Sequence, residues 1–177
     1  MAPVPWRYVH NWRCTACGRC CSGFKVVLGF DEWLSIVEMY GVGVTETDGR
    51  KFYLRRRPDG TCVFLYNFSG MRLCGLQDAK PRACKLWPFK VLTWPKYGNA
   101  EKASYPYLGR TFYVYVDPEC PEISWGPPSW TFTHQVIPEF IELAVGMREK
   151  QEKSTSDVPK QHPLYLKARM KLRSLML

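Results

Sequence analysis

Four cysteines crowd into eight residues, Cys14-Thr-Ala-Cys17-Gly-Arg-Cys20-Cys21, and four more follow singly at Cys62, Cys74, Cys84 and Cys120. A C-x-x-C-x-x-C-C run puts four soft sulfur donors on one short loop. Thiolates select zinc or iron–sulfur clusters over hard cations such as magnesium or calcium. An even cysteine count also suits a disulfide framework in a secreted protein. Three observations weigh against that use. The N-terminal residues, Met1 to His10, lack the continuous apolar core of a secretory signal. A chain of 177 residues can build a core without covalent staples. Four crowded cysteines would each need a separate distant partner at disulfide geometry. Thiolate ligation of metal is therefore the chemistry expected, with all eight cysteines as candidate ligands.

The spacing suggests how they divide. Cys14, Cys17 and Cys20 can wrap one corner of a [4Fe–4S] cluster, with a distant cysteine completing it, as in bacterial-type ferredoxins. The Cys120-Pro121 pair is a candidate for that remote ligand. Adjacent side chains diverge, so Cys20 or Cys21 is expected to turn to a second site with some of Cys62, Cys74 and Cys84. An iron–sulfur cluster, 4Fe–4S by this spacing, is the favoured cofactor; zinc, up to two ions, is the alternative. Catalysis is not expected. The chain has no glycine-rich cofactor loop, no compelling carboxylate pair and no nucleophile motif. His10, His134 and His162 stand alone, and Asp78 and Glu101 are notable only for lying near motifs.

The net charge is +9, and residues 148–177 supply +5 of it, with eight basic against three acidic side chains. A tail of this kind meets anionic partners. RNA or a ribonucleoprotein such as the ribosome is expected, or else an acidic protein surface. The basic candidates are Arg55, Arg56 and Arg57, with Lys167, Arg169, Lys171 and Arg173 near the C-terminus. The competing reading is a redox or lysine-methylation accessory, in which a cluster moves electrons or orders a substrate site. No stretch approaches the roughly 18–20 apolar residues of a membrane span, so a cytoplasmic protein is expected.

The elements that must hold these residues point to an α+β fold: a metal-stapled, loop-rich core of short antiparallel strands with a few helices. Residues 1–150 are expected to form the cysteine-cluster domain, and 151–177 a linker and a basic amphipathic helix, Leu164–Leu177. Residues before the cysteine loop read as extended, and Lys25–Leu28 as a short strand. Phe30–Gly41 has helical periodicity, with Asp31 as the expected cap and Gly41 as the stop. Pro58-Asp59-Gly60 marks a hairpin between 51–57 and 61–65, delivering Cys62 at its return. A strand at 71–73 leads to Cys74, and a short helix over 78–86 carries Cys84, with Asp78 or a neighbour as its cap. Runs at 91–94, 103–107 and 111–116 suggest an antiparallel meander. His134–Lys150 reads as a helix burying Ile137, Phe140, Ile141, Ala144 and Met147 on one face.

Five ordered elements carry a resemblance: the Cys14–Cys21 run, Pro58-Asp-Gly-Thr-Cys62-Val-Phe-Leu65, Cys74, Pro81-Arg-Ala-Cys84-Lys-Leu-Trp-Pro-Phe89, and Cys120-Pro121. Together they resemble the YkgJ-type CxxCxxCC family, known for zinc or iron chelation, over about residues 14–121. A similar cysteine module occurs in flagellin lysine N-methylases. The resemblance implies metal ligation by all eight cysteines. Lys80 and Lys85 stand where the family commonly has arginine, which keeps charge but changes hydrogen-bond geometry. Residues 122–177 fall outside the motif.

Overall fold

The computed structural model describes residues 2–68, 70–76 and 79–154. In chain order these form β1 (Val4–Pro5), β2 (Val9–Trp12), α1 (Arg19–Gly23), β3 (Val27–Leu28), α2 (Phe30–Tyr40), β4 (Thr45–Thr47), β5 (Phe52–Leu54) and β6 (Leu65–Phe68). Then come β7 (Met71–Cys74), α3 (Arg82–Leu86), β8 (Phe89–Leu92), α4 (Ala100–Ala103), β9 (Ser104–Tyr107), β10 (Arg110–Val116), β11 (Ile123–Trp125) and α5 (Ile137–Val145). The fold is α+β, with short antiparallel strands in small sheets. The expected basic helix with Lys167, Arg169, Lys171 and Arg173, along with His162 and Asp78, lies outside the described residues. Among the described residues no helix is long and apolar enough to cross a membrane. The described residues divide into two compact units, 2–15 with 85–154, and 16–84.

In the first unit β10 is the hub. It pairs antiparallel with β1, β8 and β9. The expected meander is thus redrawn: β8 joins β10 rather than β9, and the N-terminal Val4 and Pro5 take a place in the sheet opposite Val116 and Tyr115. A helical turn, α4, precedes β9 where only a β-turn and strand were expected. The core beneath is aromatic. Trp12 meets Phe89 and Phe140 edge-on, both at 5.3 Å between centroids, and Phe89 packs on Phe140 at 4.0 Å.

The last described helix begins earlier and ends sooner than periodicity suggested. Helical backbone starts at Trp130, where the Ser129 hydroxyl accepts from the Phe132 N–H at 3.1 Å. Pro138 has no N–H to give the preceding turn, and that turn is widened to a π-helix over Phe132–Val136. Gly146, at φ 81°, stops the helix after Val145. Ile137, Phe140, Ile141 and Ala144 are buried as expected, whereas Met147, beyond the stop, is 63% exposed.

The second unit combines the eleven-residue α2 with strands of two to four residues. β5 lies between β3 and β4, and β6 pairs with β7 as a separate ribbon. The hairpin forms at the expected turn: Arg57 N–H bonds the Thr61 carbonyl at 2.7 Å, and Val63 N–H the Arg55 carbonyl at 3.2 Å. Gly60 supplies the positive φ, 80°. α2 matches its periodicity but not its cap. Gly29 precedes it, and the Glu32 carboxylate, not Asp31, reaches back to accept from the Gly29 N–H at 2.9 Å. The other Glu32 oxygen accepts from Arg82 N–H at 2.6 Å, at the start of α3. One carboxylate therefore serves two helix N-termini, where free donors and dipole favour it.

Candidate metal centre

The cysteine run folds because two residues adopt left-handed backbone. Ala16 has φ 57° and Gly18 φ 75°. Gly18 is required twice over, since a Cβ there would fall 2.4 Å from Arg72 Cδ and 2.7 Å from Arg72 Cβ. Arg72 N–H also bonds the Ala16 carbonyl at 2.9 Å, which ties β7 to the loop. α1 starts immediately after and carries Cys20 and Cys21, with Cys17 exposed before it. The two adjacent sulfurs lie 4.0 Å apart. They stay closer together than the expected divergence of adjacent side chains.

The later cysteines of this unit come to the same neighbourhood. Cys62 N–H bonds the Cys21 carbonyl at 2.8 Å, and the Cys62 thiol is buried in the core with Ile36, Leu54 and Phe64. Cys21, Cys74 and Cys84 pack against that core. Cys74 sits at the end of β7, its sulfur accepting from Leu76 N–H at 3.4 Å. Cys84 rides on α3.

These thiols lie close enough to shift one another's ionisation. The Cys21 partner holds the Cys20 thiol down to about 6, against burial and with help from Lys80. The same contact pushes Cys21 up, as do burial and the charges of Cys20, Cys74 and Cys62. Burial lifts Cys62 to about 11 and raises Cys74. It pushes Cys84 well up, with Cys74, Cys62 and Cys20 acting in the same direction and Lys80 opposing. Cys20, Cys21, Cys62, Cys74 and Cys84 thus sense one another's charge.

Cys14 and Cys120 belong to the first unit. Cys120 is part of its core, and Cys14 packs against it. The Trp12 indole N–H donates to Cys120 Sγ at 3.2 Å. Cys14 N–H bonds the Ser154 carbonyl at 3.1 Å.

Residues 13–121 match the CxxCxxCC family, described as a putative zinc- or iron-chelating domain. The chain belongs to the CxxCxxCC family. The matched segment takes in all eight cysteines and well over half of the chain. No curated protein and no solved structure matches it.

The donor set suits a CxxCxxCC protein: five thiols grouped in one unit, with no histidine among them, fit a soft ion. Among the described residues, no three cysteine, histidine, aspartate or glutamate side chains converge closely enough to hold an ion as they stand. His10 and His134 have other engagements, bonding the carbonyls of Pro127 at 2.7 Å and Trp130 at 3.0 Å. Glu101 lies in the first turn of α4 in the first unit.

The arginine triplet has structural work. Arg55 donates to the Gly43 carbonyl at 3.1 Å. Arg56 donates to the carbonyls of Ser22 at 3.0 Å and Phe24 at 3.1 Å, clasping the C-terminal end of α1 behind Cys20 and Cys21. Arg57 donates to the Val63 carbonyl at 2.7 Å, next to Cys62. Cation donors at terminal helix carbonyls satisfy groups the helix leaves open. Sequence reasoning read these arginines as charge and missed them as clasps; their placement between a cysteine helix and a cysteine hairpin was the available signal. It also missed the Gly18–Arg72 fit, which nothing in local spacing announces.

Proposed function

We propose that the protein binds metal through thiolates, with the principal centre on Cys20, Cys21, Cys62, Cys74 and Cys84, and with Cys14, Cys17 and Cys120 as the remaining ligand candidates. The observation that carries this reading is the packing of Cys21, Cys62, Cys74 and Cys84 on one small core, with Cys20 Sγ 4.0 Å from Cys21 Sγ. An iron–sulfur cluster, 4Fe–4S in type, is the first reading of the cofactor, from a donor set made of thiols alone. Zinc is the second reading, favoured by the 4.0 Å between the Cys20 and Cys21 sulfurs. Tetrahedral thiolate zinc with bonds of about 2.3 Å places neighbouring sulfurs about 3.8 Å apart. Anaerobic purification with absorbance and elemental analysis decides. Brown protein with iron and labile sulfide supports the cluster; colourless protein carrying zinc replaces it; metal-free protein from metal-replete cells overturns both.

The centre is read as structural, and the protein as a non-enzymatic cytoplasmic binding module of 1–150 with a basic extension, 151–177. RNA or ribonucleoprotein binding is the role proposed for that extension, on the strength of its charge. Arg55, Arg56 and Arg57 are assigned a smaller share, because their guanidinium groups already serve backbone carbonyls. Charge reversal at Lys167, Arg169, Lys171 and Arg173 is expected to abolish co-sedimentation with ribosomes or RNA at low salt. Unchanged binding would remove the proposal and leave a redox or methylation accessory, for which turnover of a partner linked to a reversible potential is the positive sign.

A further inference from the structure

A carboxylate far outside the family's segment is built into the support of the first cysteine. Glu139, on α5, is only 2% exposed. One of its oxygens accepts from Glu152 N–H at 2.7 Å and Ser154 Oγ at 3.1 Å. The other accepts from Lys153 N–H at 2.9 Å and Ser154 N–H at 3.3 Å. Hydrogen bonds to an ionised acceptor are the strong kind, and a buried carboxylate is tolerated only with such donors. Three consecutive residues are thereby fixed against the helix. Ser154, itself 1% exposed, then uses its carbonyl to hold the Cys14 N–H at 3.1 Å.

We propose that Glu139 is a positioning residue for Cys14. The carboxylate sets residues 152–154, and Ser154 sets the backbone from which the Cys14 thiol projects. The matched family segment ends at residue 121, so this support comes from a part of the chain that the segment does not include. Deleting the region beyond 121 would leave all eight cysteines present and Cys14 without its anchor. As far as metal is concerned, the proposal rests on the reading of Cys14 as a ligand.

The experiment uses the full chain and has two readouts. In the reduced, metal-free protein, iodoacetamide labelling of each cysteine is timed by mass spectrometry. In parallel, cobalt(II) is titrated, and the thiolate-to-cobalt absorption reports affinity and the number of sulfurs bound. Glu139→Ala is expected to speed Cys14 labelling about tenfold or more, with Cys62 and Cys84 unchanged. Cobalt affinity is expected to fall by about 10–100-fold, the usual effect of removing an outer-shell support. Glu139→Gln keeps the shape but turns an amide toward backbone donors, so it should lie between wild type and alanine; it decides the matter if the alanine variant does not fold. Val145→Ala truncates an exposed side chain on the same helix and should move neither readout. Wild-type labelling in both Glu139 variants overturns the proposal, as does an equal effect of Val145→Ala. Cys14→Ser separates the two readings. If cobalt binding ignores it, Cys14 is not a ligand, while the labelling arm still decides whether Glu139 positions it.

Discussion

The two units solve the same problem with different materials. The first has a seven-residue central strand, β10, with three partners, a nine-residue α5 and interlocked aromatic rings. The second has β-strands of two to four residues, the eleven-residue α2, two helices of only five residues and six of the eight cysteines. Strands this short, in sheets of two or three, are marginal alone. The second unit has an apolar core of its own, with Ile36, Val44, Phe64 and Leu76 buried and Cys21, Cys74 and Cys84 packed against it. Small regions add metal or covalent staples to such a core. The contrast sets up an expectation: thiolate ligation of metal supports the second unit more than the first.

Metal removal should break this contrast most visibly. Apparent binding energies of structural zinc are on the order of 10 kcal/mol, more than a small unit holds in reserve. Hydrogen exchange on the chelated, reduced protein should show protection lost across residues 16–84 and retained in β8, β10 and α5. Equal loss in both units would mean that the aromatic core is not self-sufficient. The converse change is Phe140→Ala. Phe140 is fully buried against Trp12 and Phe89, and truncation of such a ring costs about 3–5 kcal/mol. The first unit should lose exchange protection while the metal content per chain stays constant. Gly18→Ala comes next. A left-handed φ and a clash with Arg72 together should cost on the order of 2–4 kcal/mol, read as a lower chelator concentration for unfolding residues 16–84. An unchanged midpoint would show that the loop can move away from Arg72.

Much of this was legible in the chain because the signals were local. The helix over 30–41, the Pro58-Asp59-Gly60 turn and the strand leading to Cys74 follow from periodicity and turn chemistry within a few residues. The family of the cysteine pattern was legible for the same reason. What the chain hid depends on distant partners. Val4 and Pro5 find their place only through β10, and Glu32 caps α3 from fifty residues away. Glu139 stood in an apolar stretch, Val136-Ile-Pro-Glu-Phe-Ile141, which was a signal of a buried acid. Its donors at 152–154 were not deducible from spacing. The division between the units cuts through the cysteine motif itself, after residue 15, where composition does not change. Cysteines read as one ligand set therefore belong to two packing environments.

The smallest expected effect tests whether charge also distinguishes the units. In the first unit the Tyr107 hydroxyl donates to Glu142 at 2.5 Å, and Arg148 Nε to the other Glu142 oxygen at 2.7 Å. Burial pushes the Glu142 carboxyl up, but Tyr107 and Arg148 outweigh it and bring it below its ordinary value. The carboxylate in turn pushes the Tyr107 hydroxyl up to about 12. A depressed carboxylate contributes stability that is fully present above its unfolded pKa, about 4.3, and that is lost as pH falls through the lower folded value. A raised phenol contributes below its unfolded pKa, about 10, and loses that contribution as pH rises toward 12. Tyr107→Phe should therefore cost the first unit about 1 kcal/mol at neutral pH. The difference should narrow in acid once Glu142 is protonated and again in strong alkali. Unfolding of the first unit at pH 7, 3 and 11 in both proteins measures it. A constant difference across that range would show that the ring's packing, rather than its bond to Glu142, makes the contribution.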